Sequence, residues 1–171
     1  MEYSLLRTHM KSNPIDPGVR IGHVHLKVAN IERSLEFYCD VLGFEITQRY
    51  GDQAVFISAG GYHHHIGLNT WESKNGQPPA HGSTGLYHVA ILYPTRAALA
   101  DALQRLISAG IPLDGAADHG VSEALYLHDP DFNGIELYWD KPKELWPTDS
   151  TGQLNMYTRS LNLDQLLNHK E

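Results

Sequence analysis

Gly22-His23-Val24-His25-Leu26 returns 65 residues later as Tyr87-His88-Val89-Ala90-Ile91. The first copy sits in a stretch, Ile21 to Ala29, that alternates in character. Val24, Leu26 and Val28 share one face, and His23, His25 and Lys27 share the other, which is the period of a half-buried strand. The segments after the two copies are also alike. Asn30 is placed to cap a helix running to Leu42, with Glu32 in its first turn and Gly43 as its end. Leu35, Tyr38, Cys39 and Leu42 form its apolar stripe. Three short strands are expected after it, Phe44 to Tyr50, Gln53 to Ser58 and His63 to Thr70, divided by Gly51-Asp52 and Gly60-Gly61. In the second copy Leu86 to Leu92 reads as the strand, and Thr95 caps a helix through Ala109 that ends at Gly110. Strands near Pro112 to Asp118, Glu123 to His128 and Gly134 to Trp139 complete it. The order βαβββ, written twice, predicts an α+β fold of two paired modules forming a cup-shaped mixed sheet.

The modules cover about residues 18–72 and 84–140, and the polar Gly/Pro-rich stretch Ser73 to Ser83 links them. Residues 1–147 read as one two-module domain. Residues 148–171 read as a tail in which Leu161, Leu163, Leu166 and Leu167 predict a short amphipathic helix, packed on its own domain or on a second subunit. That segment is the candidate dimer contact, and a homo-oligomer is expected.

The composition narrows the function. At 42% apolar residues in 171, the chain can bury a core and is not a disordered protein. No window approaches the ~18 apolar residues of a membrane span. The net charge of −7, with Lys and Arg scattered, argues against a nucleic-acid partner, because phosphates are held by clustered cations. Met1 to Lys11 lacks the apolar core of a secretory signal, and the single Cys39 fits a reducing compartment, so a cytoplasmic location is expected. Eleven histidines, three of them consecutive at 63–65, point towards metal or proton chemistry.

Strand parity says which side chains can meet. His23 and His88 both face away from their helices. On the last strand Ile135, Leu137 and Trp139 are the apolar set, so Gly134, Glu136 and Tyr138 face the other way. If the modules pair with these faces forming one cup, two imidazoles and one carboxylate converge. That set leaves coordination positions open and suits non-haem Fe(II) or Mn(II).

The run Ile21 to Val28, with Ser34-Leu35-Glu36-Phe37-Tyr38 and Val41-Leu42-Gly43-Phe44, resembles the vicinal oxygen chelate superfamily of glyoxalases, bleomycin-resistance proteins and dioxygenases. The likeness spans about Gly18 to Pro147. The stretch His119 to Glu136, with Leu125-Tyr126 and the Asp129-Pro130-Asp131 turn, is similar to the extradiol ring-cleavage signature of catechol 2,3-dioxygenases, as is Gly61 to Trp71. Ala117 and Phe132 depart from the pattern; Phe132 stands where a glycine is usual. The resemblance implies His23, His88 and Glu136 as ligands of Fe(II), with Mn(II) as the alternative, and an aromatic diol and O₂ as substrates. It implies His64 as the acid–base residue, with His65 as runner-up, and His119 and Tyr126 as hydrogen-bond donors to a catechol oxygen. Glyoxalase I carries a fourth, carboxylate ligand where this chain has Gly67, and that difference favours the open, three-ligand site.

Two rival functions compete with the dioxygenase. One is a lyase, isomerase or thiol transferase of the same superfamily using Ni(II), Zn(II) or Mn(II). The other is a metal-free module that binds an aromatic compound or drug. Cys39 is expected to be buried and inert, and His9, His81, His128 and His169 to be solvated or structural.

Overall fold

In the computed structural model, which describes residues 13–168, both modules are present. His9 and His169 lie outside the described residues, as does the Met1 to Lys11 stretch. Module 1 contains β1 (Val24–Lys27), α1 (Ile31–Leu35), β2 (Glu45–Tyr50), β3 (Ala54–Ser58) and β4 (Ile66–Asn69). Module 2 contains β5 (Val89–Leu92), α2 (Arg96–Ser108), β6 (Gly115–Asp118), β7 (Ser122–His128) and β8 (Gly134–Asp140). Two further elements come after them, β9 (Arg159–Ser160) and α3 (Leu163–Leu167). Among the described residues no helix is long and apolar enough to cross a membrane.

The helix caps are those the sequence specifies. Asn30 accepts from the Arg33 N–H, and Thr95 accepts from the Ala98 N–H, each satisfying a donor that the first turn leaves unpaired. Gly43 and Gly110 take the left-handed conformation after their helices. One departure concerns α1, which continues over Glu36–Val41 as a π-helical stretch. The wider turn, closed by the Leu42 N–H on the Phe37 carbonyl at 3.0 Å, leaves Phe37 and Tyr38 both buried.

The strands assemble as two sheets, in the orders β1-β4-β3-β2 and β5-β8-β7-β6-β9. In each module the first strand lies parallel to the last, pairing Leu26 with Leu68 and Ile91 with Leu137. The parity reading holds: Leu26 and Val28 are buried while His25 and Lys27 are exposed. The expected single cup is not formed by hydrogen bonding within one chain, since β1 and β5 each end a separate sheet. Among the described residues the modules are joined by an apolar core shared by α1, α2 and both sheets, together with two polar contacts. Tyr38 Oη donates to Asp129 Oδ2 at 2.9 Å, and Arg33 pairs with Asp131. The tail is drawn into module 2. Arg159–Ser160 extends the second sheet against β6, and Leu166, fully buried, packs α3 on α2.

The β7–β8 turn stores strain. Asp129 accepts from the backbone N–H groups of Asp131 and Asn133, which closes the turn with Phe132 at φ 62°. A left-handed non-glycine residue costs ~1–2 kcal/mol, and glycine there gives back part of the gain through chain entropy. Phe132→Gly is therefore expected to raise stability by about 0.5–1 kcal/mol in urea denaturation. A loss of stability would show that the exposed ring contributes more than its backbone costs.

Candidate active site

The second module gathers four of the six expected residues. β7 and β8 pair with Tyr126 directly opposite Glu136, so the two side chains rise from the same face. Tyr126 Oη donates to Glu136 Oε1 at 3.1 Å. The other carboxylate oxygen, Oε2, is 2.9 Å from His88 Nε2. His119 Nε2 lies 2.8 Å from Tyr126 Oη, and since the tyrosine proton is committed to Glu136, the imidazole is the donor there. His119 Nδ1 is then the acceptor for Thr158 Oγ1 at 3.1 Å. A single line of donors thus runs from Thr158 through His119 and Tyr126 to Glu136. Burial, then the Glu136 charge, push the Tyr126 phenol up to about 12, so it stays a proton donor at neutral pH.

His88 owes its place to a glycine. It precedes β5, and the backbone there passes the start of β8 so closely that a Cβ at Gly134 would stand 2.0 Å from the Tyr87 carbonyl oxygen. Only a residue without a side chain lets the Tyr87-His88 backbone lie there. A pocket of about 430 Å³ opens on the same face and is lined by Tyr87, His88, Tyr126 and Gly134. His128 and Asp114 also line it, joined Nδ1 to Oδ2 at 2.6 Å. Sequence reading set His128 aside, although its parity with Tyr126 on β7 was available as a signal. Thr158 carried no motif and was missed.

The remaining two residues lie in module 1. His23 packs against His64, with ring centroids 4.4 Å apart, and His64 also rests on Phe56. Burial first, then the neighbouring imidazoles led by His23, lower the His64 pKa and favour its neutral form. The three consecutive histidines have different partners. His65 Nδ1 is held by Ser58 Oγ at 2.9 Å and the Ala59 N–H at 3.3 Å, which ties it to the end of β3. His63 and His64 face each other through Nδ1 atoms 2.8 Å apart. The carbonyl of His63 is 2.8 Å from Thr47 Oγ1, which sits at a register break between β2 and β3.

Gly67 has a physical reason of its own. It is paired with His25 across β1 and β4, and a Cβ there would come within 2.9 Å of the His25 ring. The imidazole lies over the position, so a side chain there would have to displace the His25 ring. Cys39 is partly buried, and its thiol is pushed up chiefly by burial, in keeping with an inert role.

His88 and Glu136 are therefore together, and His23 is not with them. Among the described residues no three His, Cys, Asp or Glu side chains converge as a metal site. The expected ligand set does not fit a metal within one chain as folded here.

The arrangement defines a class: paired βαβββ modules presenting histidines and a carboxylate on their open faces. Residues 20–137 match the family described as the Glyoxalase/Bleomycin resistance protein/Dioxygenase superfamily, and the chain belongs to it. It is 42% identical over 154 residues to the catechol-2,3-dioxygenase of Bacillus subtilis (strain 168), a match covering 90% of this chain and 53% of that protein. The chain thus spans about half the length of that relative. It is 30% identical over 136 residues to biphenyl-2,3-diol 1,2-dioxygenase 2 of Rhodococcus globerulus, covering 80% of this chain and 70% of the relative. Among solved structures, a glyoxalase/dioxygenase from Nostoc punctiforme superposes with a TM-score of 0.62 at 18% identity, over 77% of this chain and 99% of that one. At that identity the likeness speaks for the fold alone.

Proposed function

We propose that this chain is an extradiol-type dioxygenase that opens the ring of a catechol-like aromatic diol with O₂. The observation that carries the reading is the hydrogen-bonded line from Thr158 to Glu136, ending beside His88 at a pocket large enough for one aromatic ring. Relatives named for catechol and biphenyl-diol cleavage support it. The reading implies Fe(II), or Mn(II), held by His23, His88 and Glu136. Among the described residues of one chain, those side chains do not close around an ion.

The chain's own groups have clear tasks. Tyr126, protonated at neutral pH, gives its one proton to Glu136 in this structure, and the same O–H turned to a substrate oxygen would stabilise a diol anion there. His119 holds the phenol in place from behind. His64, beside His23 in module 1, has Nδ1 turned to His63, and the reading gives its Nε2 the proton transfer. Gly67 has no side chain to offer at the position of the fourth ligand that the glyoxalase-type lyase reading needs. Work in the cytoplasm as a homo-oligomer belongs to the same reading.

The test is anaerobic loading with Fe(II), followed by catechol, methylcatechols or 2,3-dihydroxybiphenyl and then O₂. A yellow ring-opened product with one O₂ consumed per diol is expected. Retained iron without O₂ uptake across that panel would overturn the assignment. Tyr126→Phe keeps the packing and removes one hydroxyl. It should lower kcat about tenfold to a hundredfold with little change in thermal stability, and an unchanged kcat would take the phenol out of the reaction.

A further inference from the structure

We propose that the end of the pocket walled by His128 and Asp114 is a subsite for a hydrogen-bond-donating arm on the diol, so that the substrate is a catechol carrying a hydroxyl or ammonium group on a short chain. The inference rests on the ring-opening reading and narrows its substrate class. Its basis is a paired imidazole and carboxylate that share a wall with Tyr126 and His88 and have no task in the reaction so far.

The strand register puts the two ends of the pocket in line. His128 follows Tyr126 by two positions on β7, so both side chains leave the same face, their stems about 7 Å apart. Across the ladder Tyr126 meets Glu136 and His128 meets Gly134. A diol held beside Tyr126 and His88 therefore has His128 as its next neighbour along β7. The volume of about 430 Å³ lies in the range of pockets that hold drug-sized ligands, which is more than a bare catechol needs.

The chemistry of that end names the arm. Asp114 Oδ2 stands 2.6 Å from His128 Nδ1. A carboxylate only accepts, so Nδ1 carries a hydrogen and the tautomer is set. The Phe132 ring lies against the same imidazole, with centroids 5.7 Å apart, and limits its rotation. Nε2 is the nitrogen left for a ligand, and in the neutral ring it is an acceptor that calls for a donor. Charge decides between the remaining substituents. Asp114 brings a carboxylate to the wall, and no Lys or Arg is among the described residues that line it. An anionic arm is therefore repelled, and an ammonium is attracted. An alkyl arm would take water from the His128–Asp114 pair and return no hydrogen bond.

The experiment titrates the protein, supplied with Fe(II) and kept anaerobic, with 4-ethylcatechol, 4-(2-hydroxyethyl)catechol, 4-(2-aminoethyl)catechol and 3-(3,4-dihydroxyphenyl)propionate in a calorimeter. O₂ is then admitted to read ring opening. Each Kd is taken as a ratio to that of 4-ethylcatechol, so that a general loss of affinity cancels. The hydroxyethyl and aminoethyl compounds should bind about fivefold to tenfold more tightly than the ethyl compound, and the propionate less tightly than any. Equal leads identify a hydroxyl arm, and a larger aminoethyl lead an ammonium arm. His128→Ala should shrink both leads to about twofold or less. Asp114, a positioning residue, has its own signature: Asp114→Ala shrinks the hydroxyethyl lead, and Asp114→Asn, which keeps an acceptor for Nδ1, restores it. An ethyl compound that binds as tightly as the other two, or leads that survive His128→Ala, would overturn the subsite, while ring opening of any of the four keeps the dioxygenase reading. Leads that vanish in His128→Ala without O₂ uptake by wild type would keep the subsite and sink the dioxygenase. Failure of all four to bind would remove both.

Discussion

Replacing Gly134 with alanine is expected to cost the fold about 4 kcal/mol or more, a large share of the stability of a domain this size. The added methyl group would stand 2.0 Å from the Tyr87 carbonyl oxygen and 3.1 Å from the His88 Cα. Both are backbone atoms, so no side-chain rotation relieves the clash. Relief requires β5 to move off β8, and that breaks the parallel ladder from Val89–Ile135 to Leu92–Tyr138. Ile135 and Leu137, buried on the far side of β8, would lose their packing in the same motion. Gly51→Ala is the informative control. Gly51 has φ 57° but nothing within 4 Å of a built Cβ, so only backbone strain is felt, at about 1 kcal/mol. Urea denaturation and near-ultraviolet circular dichroism of the two variants check the difference. An alanine at 134 as stable as one at 51 would show that β5 does not approach β8 this closely, and the placement of His88 beside Glu136 would fall with it.

The contrast between these two glycines also shows what the sequence could and could not disclose. The module plan was legible because it is written in short-range chemistry. Alternation at Val24, Leu26 and Val28, caps at Asn30 and Thr95, and turn glycines at 43 and 110 all act within a few residues, and the repeat pairs the caps at an offset of 65 and the glycines at 67. Strand ends were read too long, as with Ile21 to Ala29 against Val24–Lys27, because a strand lasts only as far as its partner and β4 supplies four residues. β9 was missed for a related reason: Arg159–Ser160 joins the sheet through an edge of β6 that two residues of sequence do not advertise. In the site, parity put Glu136 off the apolar face of the last strand and set His23 and His88 away from their helices, whereas Tyr126 came from the resemblance and its pairing with Glu136 is seen only in the sheet. It could not say how the modules sit on each other. That relation depends on Tyr38 finding Asp129 across 91 positions, a contact with no local pattern. The reciprocity of His25 and Gly67 was likewise hidden, since a missing side chain reads as vacancy until its neighbour is seen to fill it.

His64→Ala is expected to slow ring opening by about a hundredfold to ten-thousandfold while leaving the fold and metal uptake in place. The triple histidine makes this prediction sharper, because the three positions must behave differently. His64 touches His23 and Phe56 and keeps Nε2 free of partners among the described residues, so its loss removes a proton carrier and little packing. His63 is exposed and meets His64 only through Nδ1 and ring contact. His63→Ala frees His64 to turn and should change kcat by less than about tenfold, below the range of a direct proton donor. His65 anchors the turn through Ser58 and the Ala59 N–H, so His65→Ala should cost about 1 kcal/mol of stability with a smaller effect on kcat than His64→Ala. Single-turnover ring opening under excess O₂, compared with urea denaturation of the same three variants, separates the roles. If His65→Ala lost the rate and His64→Ala did not, the proton would be carried by the histidine whose Nδ1 is already bound to the turn, and the orientation of this loop would have to be reversed. Equal losses at all three would mean that the run acts through the shape of the loop alone, with no single imidazole handling the proton.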